Sequence, residues 1–107
     1  MHIGFILTKT YAQESFQTFL KFLNIYLGKN DISIFLLGNG VFCARNGHSE
    51  SITFLEILEK GRILACWDDL QARGIGRAQL IPGVETFENY ETIVLSIMED
   101  VDEVLSF

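Results

Sequence analysis

The chain has 107 residues, 49 % of them hydrophobic, with nine phenylalanines, one proline and a formal net charge of −6. That length suits one domain with one core, residues 1–107, and is too short for two. Fourteen Asp and Glu against eight Lys and Arg, with no basic block, argue against nucleic acid as a partner, because its affinity comes mostly from basic contacts to phosphate.

The opening Met1-His-Ile-Gly-Phe-Ile-Leu-Thr8 is apolar, yet too short to span a bilayer and without a basic n-region or a small-residue cleavage site. Ile3 to Thr8 therefore reads as a first strand buried on both faces. With no export signal, the two cysteines are expected in a reducing cytoplasm as core residues, ligands or reactive thiols, and no disulfide is expected. A polar connection leads to a candidate helix cap at Ser15. From there Phe16, Phe19, Leu20, Leu23, Tyr26 and Leu27 mark one face of a helix, with Gly28 as its stop. Phe22 and Ile25 fall outside that stripe, on faces a monomer turns to water, and two such residues on one short helix predict a subunit interface.

Asp31 to Leu37 is the second strand and runs into Gly38-Asn39-Gly40, where the glycines allow a tight turn and a close backbone approach. Neither this turn nor Gly74-Ile75-Gly76 has the third glycine of a dinucleotide fingerprint. Val41 to Arg45 begins a helix cut short by Asn46-Gly47, and Ile52 to Lys60 is a short helix ending at Gly61. Arg62 to Ala65 is the central strand, delivering Cys66 to a helix-compatible run that closes at Arg73-Gly74. Leu80 to Val84 is a short extended piece ended by the proline. A last helix carries Phe87, Tyr90, Ile93, Val94, Ile97 and Met98 on one face, and Asp102 to Phe107 is the final strand. Strands alternating with helices imply a parallel sheet covered on both faces. Ligands bind such sheets outside the carboxyl ends of the strands. Thr8 to Tyr11, Gly38 to Cys43 and Cys66 to Asp69 lie there and predict one shallow site, with Thr8, Gly38, Asn39, Gly40, Cys43, Trp67 and Asp68 around Cys66.

Two readings of Cys66 stand side by side: a small buried hydrophobe, or a thiol presented at a strand-to-helix junction. The helix dipole there lowers its pKa, whereas Asp68 and Asp69 in the first turn raise it. Cys43 is a second thiol for the same pocket or a residue packed under the helix. Cys43, Cys66, His2 and His48 lack the close pairings of zinc ligands, so no metal is expected. No Gly-x-Ser-x-Gly elbow is present, and Asp68-Asp69 and Glu99-Asp100 read as helix-end and surface charges.

The opening Ile3-Gly-Phe-Ile-Leu-Thr8, the turn Gly38-Asn-Gly-Val41, Gly61-Arg-Ile-Leu-Ala-Cys66 with Arg73-Gly-Ile75, Leu80-Ile-Pro-Gly-Val84 and Asp102-Glu-Val-Leu-Ser-Phe107 together resemble the small DsrE/DsrF-like proteins, relatives of the Tus sulfur-relay subunits. The resemblance implies a flavodoxin-like, three-layer α/β sandwich with a five-stranded parallel sheet, assembled as a homo-oligomer, a trimer or hexamer. It also implies that Cys66 accepts sulfur as a persulfide from a persulfide donor and passes it to another sulfur-carrier protein, with no cofactor. Some relatives carry a second cysteine three places on; Asp69 stands there instead, so no Cys-x-x-Cys pair exists. Members lacking the cysteine serve as structural subunits. The expected function is thus a cytoplasmic sulfur carrier or sulfurtransferase subunit, and the alternative is a non-catalytic ligand- or protein-binding assembly subunit. A thiol redox sensor, the third reading, needs Cys43 and Cys66 within disulfide reach, and in the usual flavodoxin-like order the first strand separates them. Trp67 is expected in a subunit interface.

Overall fold

Five short apolar runs become the strands of one parallel sheet in a computed structural model, which describes residues 1–107 except for the side chains of residues 96–98. In chain order the elements are β1 (His2–Leu7), α1 (Glu14–Tyr26), β2 (Asp31–Leu36), a 3-10 helix (Gly38–Ala44), α2 (Ser51–Leu58), β3 (Arg62–Cys66), α3 (Trp67–Ala72), a 3-10 turn (Arg77–Gln79), β4 (Glu85–Phe87), α4 (Tyr90–Asp100) and β5 (Glu103–Ser106). Among the described residues no helix is long and apolar enough to cross a membrane.

The strands lie in the order β4-β3-β2-β1-β5, every neighbour parallel. The chain steps one strand at a time from β1 to β4, then returns past the whole sheet to β5. Right-handed crossovers therefore place α1, α2 and α3 on one face and α4 on the other. This is the expected three-layer α/β sandwich around five parallel strands. The expected position of β1 between β2 and β3 is corrected, because β2 pairs directly with β3 and β1 keeps its other flank free for β5.

Side chains alternate across each strand and so sort the core into two layers. Ile3, Phe5, Leu7, Ile34 and Ile63 pack under α1 and α2, where Phe5 meets Phe19 edge-on at 5.8 Å and Phe16 lies 5.7 Å from Phe54. Phe5, Phe16, Phe19 and Phe54 are wholly buried, so truncating any one costs about 3–5 kcal/mol. On the α4 side, Phe35 packs edge-on against Phe87 at 6.3 Å, and Val101 lies against Gly4.

The helical pattern of α1 holds: Phe16, Phe19 and Leu23 are buried, with Leu20, Tyr26 and Leu27 partly so. The helix begins at Glu14, ahead of the expected cap at Ser15, because Gln13 turns back to accept the Thr10 N–H at 2.8 Å and closes the preceding turn. Gly28 ends it at φ +86°, where a Cβ would be strained. Phe22 and Ile25 are exposed as expected. In α2 only Phe54 and Ile57 of the apolar residues are fully buried, and Ile52 and Leu55 face out.

The fourth strand forms at Glu85–Phe87, a correction to the expected Leu80 to Val84. Pro82 has no N–H to give a ladder, and residues 79–81 are already committed elsewhere: Gln79 accepts the Asn46 N–H at 2.7 Å and Ile81 donates to Ala44 at 2.8 Å. Phe87, expected on the last helix, closes β4 instead. Asn89 then caps α4, its Oδ1 accepting from Thr92 N at 3.1 Å. Ile93 is buried, while Tyr90 of the same expected stripe is exposed. Ile97 and Met98 lie outside the described side chains.

Candidate functional site

Cys66 closes β3 and is the residue from which α3 springs. The local sequence explains why. A short apolar run, Ile63 to Ala65, with Ile63 and Ala65 buried and Leu64 partly so, suits a strand at this length, and Asp68 and Asp69 then favour the positive end of a helix. The residue is 3 % exposed. Its sulfur closes no capping hydrogen bond with the first turn. Burial pushes the thiol pKa up, and the Asp69 carboxylate pushes it further; the amides of Asp69 and Asp68 offset this only in part. Burial decides the direction; of the two opposing influences expected from the sequence, the amide at the helix start lowers the pKa and the Asp69 carboxylate raises it.

Asp69 is itself fixed. Its Oδ2 accepts the Gly38 N–H at 2.8 Å, and Arg73 Nη1 stands 3.7 Å from its Oδ1 and donates to its backbone carbonyl at 3.1 Å. Arg73 also directs Nε and Nη2 to Asn39 Oδ1, at 3.2 and 3.1 Å. Asp69, Arg73, Gly38 and Asn39 thus clamp the 3-10 helix to the start of α3. Gly38 and Asn39 are therefore tied to the first turns of the helix that follows Cys66. Of the residues that hold them there, Asp69 lay within the expected stretch Cys66 to Asp69 but was expected only to act on the thiol, and Arg73 lay outside it; the available signal was their i,i+4 acid–base spacing.

The 3-10 helix bridges the rest of the carboxyl edge. Leu37 N donates to the Leu7 carbonyl at 3.1 Å, and Gly40 passes so close to that carbonyl that a Cβ would collide with it. Cys43 is wholly buried, with its thiol directed at the Lys9 carbonyl at 3.8 Å. Its pKa is pushed up to about 12 by burial, slightly relieved by the Tyr11 amide and raised again by Glu50. His48 explains part of this rigidity: its Nδ1 accepts the Glu50 N–H at 3.0 Å, which leaves Nε2 to donate to the Cys43 carbonyl at 2.9 Å, and its ring stacks on Tyr11 at 4.1 Å.

The three stretches expected at one site do meet, but through this 3-10 helix. Thr8 lies at the end of β1, two strands from β3 and hence about 10 Å away, with both its N–H and Oγ1 donating to Phe107 at 3.0 Å. Trp67 is half-buried, its ring covered by the Arg77 guanidinium at 3.8 Å. Asp68 is exposed, and its N–H donates to Glu88 at 3.2 Å. Both cysteines are free, and Cys43 faces the loop over β1, with β2 rather than β1 between that loop and β3. Among the described residues no three His, Cys, Asp or Glu side chains gather as a metal site. A groove of about 600 Å³ lies elsewhere, between α1 and α2 around Leu23, Asn24, Glu56 and Lys60. At the carboxyl edge, then, stands a nearly covered thiol with a fixed carboxylate at its side. That arrangement suits sulfur chemistry at Cys66 only when the thiol loses its proton at the moment of attack.

Residues 10–102 match the family described as DsrH like protein. No curated protein matches. Among solved structures, a protein of unknown function, MTH1491 from Methanobacterium thermoautotrophicum, is similar with a TM-score of 0.78 and 19 % identity, over 99 % of this chain and 97 % of that one. The ychN protein from E. coli is similar with a TM-score of 0.72 and 22 % identity, over the same shares of the two chains. At these identities the two structures establish the shared fold.

Proposed function

The chain belongs to the DsrH-like family, and on that premise we propose that it is a sulfur-relay subunit in which Cys66 carries the sulfur as a persulfide. Membership suggests sulfur relay at the level of the family. The observation that supports the finer reading is the place of Cys66: the single thiol at the strand-to-helix junction on the sheet's carboxyl edge, while Cys43 is locked beneath the neighbouring loop. In the proposed step the Cys66 thiolate attacks the outer sulfur of a donor persulfide. A sulfur–sulfur bond forms at Cys66, the donor's own sulfur–sulfur bond breaks, and the donor thiolate leaves with the electron pair and takes up the proton shed by Cys66. No net oxidation occurs, so no cofactor is called for. The reverse exchange with an acceptor thiolate, on another carrier protein, unloads the sulfur.

A reducing, cytoplasmic setting belongs to this reading, since it keeps Cys66 a thiol. So does assembly as a homo-oligomer, trimer or hexamer, supported by the outward apolar residues Phe22, Ile25, Ile52 and Leu55 on α1 and α2. A second reading, an assembly subunit without sulfur chemistry, is favoured by the burial of Cys66 and its raised pKa.

Intact mass after exposure to a persulfide donor, with and without reductant, separates the two. The carrier reading expects a gain of one sulfur atom that reductant removes and that the Cys66→Ser variant lacks. An unmodified protein whose Cys66 also resists alkylation while folded would sink it and leave the assembly subunit.

A further inference from the structure

In a chain of net charge −6 the four arginines are used unequally. Arg62 is fully paired, with two hydrogen bonds of 2.9 Å to Glu85. The other three, Arg45, Arg73 and Arg77, gather at the carboxyl edge of the sheet. Arg45 and Arg73 both lie over the Phe42 ring, 6.0 and 5.9 Å from its centre. Arg45 also bridges to Leu80, whose N–H donates to Arg77, and Arg77 covers Trp67. Among the described residues neither Arg45 nor Arg77 has a carboxylate partner, although both are exposed and Asp68 and Glu88 belong to the same edge. Arg73 is held in its clamp with Asp69 and Asn39: two of its donors go to the Asn39 amide oxygen, and Nη1 goes to the Asp69 carbonyl, 3.7 Å from the Asp69 carboxylate.

We infer that Arg45 and Arg77, set over Phe42 and Trp67 beside the clamped Arg73, form a docking surface for an acidic polypeptide segment. A guanidinium resting on a ring keeps its position while its donors lack the charged, two-oxygen acceptor they bind best. Arginine set among aromatic rings is also the composition that recurs at protein interfaces. The two free forks, Arg45 and Arg77, are carried by separate elements and anchored on different rings, so they call for carboxylates spaced along a chain and not for one small anion. The net negative charge of the rest of the molecule confines such a partner to this edge. The surface borders the Cys66 site through Trp67, but it does not rest on the persulfide reading, and binding is measured apart from sulfur loading.

Trp67 is the only tryptophan, so its emission reports the displacement of Arg77 directly. Titration with a capped hexaglutamate peptide is expected to give a saturable change in that emission, weaker by about fivefold or more when salt rises from about 50 to about 300 mM. The Arg45→Ala, Arg77→Ala double variant, with both side chains taken from the surface, is expected to keep its circular dichroism and lose this binding; amide NMR shifts at residues 39–45 and 67–77 report binding where the variant's own emission has changed. Absence of both the emission change and the NMR shifts in the wild-type protein would overturn the inference. So would undiminished binding to the double variant, or an equal response to inorganic phosphate, which would make the edge a small-anion site.

Discussion

At the scale of single residues, the two thiols differ in what surrounds them more than in their burial. Cys43 meets the Lys9 carbonyl and the Tyr11 amide under apolar packing, with Glu50 adding to the rise, and a pKa pushed up to about 12, chiefly by burial, keeps it a neutral thiol at ordinary pH. Cys66 is raised as well, chiefly by burial, but a carboxylate adds to the shift and that carboxylate can be removed. An anion beside a thiol favours its neutral form. Replacing Asp69 with Asn deletes the charge and keeps an oxygen that can accept from Gly38 N, so the thiolate becomes easier to form. In a Cys43→Ala background, the alkylation rate plotted against pH is therefore expected to have its midpoint above that of an ordinary thiol, and Asp69→Asn to move it to lower pH and speed the reaction at pH 7 several-fold. A profile that stays put or moves upward would mean that Asp69 does not act on the thiol. If the variant reacts faster with alkylating agent yet loads sulfur more slowly, Asp69 relays the Cys66 proton to the departing donor thiolate.

At the scale of elements, the 3-10 helix Gly38–Ala44 is the keystone of the carboxyl edge, because it touches β1, the loop after β1 and α3. Gly40 and Gly47 separate two kinds of glycine requirement. A Cβ at Gly40 meets the Leu7 carbonyl, backbone that cannot move aside, whereas at Gly47 it meets open space and only φ +96° is strained. Gly40→Ala is expected to cost roughly 3 kcal/mol or more in a urea unfolding curve, and Gly47→Ala about 1 kcal/mol. Equal losses would show that the close approach at Gly40 relaxes. The turn glycines, the strand into Cys66 and the helix after it were legible in the sequence because each depends on neighbours within a few residues. The Gly38–Asp69 bond joins positions 31 apart, and its partners each have an ordinary local reading, so nothing in the order of residues announces it. The place of β4 was hidden for a related reason. The expected piece starts at Leu80, which is extended, and besides Pro82 it is the bonds of Gln79 and Ile81 to Asn46 and Ala44, far back in the chain, that keep it out of the sheet. Strand order likewise follows from which flank of β1 is left for β5, a choice made in three dimensions.

At the scale of the whole molecule, the exposed large apolar residues fall on two sides: Tyr90, Leu95 and Val104 on α4 and β5, and a second set on the helices of the opposite face. Phe22, Ile25, Ile52 and Leu55 all belong to the α1–α2 layer, with Ile25 56 % and Ile52 70 % exposed. A standard interface takes about 800 Å² from each partner, a modest part of the 5912 Å² the chain exposes. Sedimentation velocity is expected to find the wild-type protein heavier than one chain, and Ile25→Asp with Ile52→Asp to return it to a monomer without loss of helix signal. A wild-type protein that sediments as one chain up to about 100 μM would refute assembly through this face. The two single variants carry the test further. In a ring, α1 of one copy meets α2 of the next, a contact that is not self-complementary. Ile25→Asp then spoils one side of that contact and Ile52→Asp the other, so neither variant associates alone. Mixed, they retain one intact contact between them and are expected to form a dimer that cannot close. A twofold contact between α1 helices predicts instead that Ile52→Asp dimerises unaided, so the same sedimentation experiment distinguishes a trimeric ring from a pair.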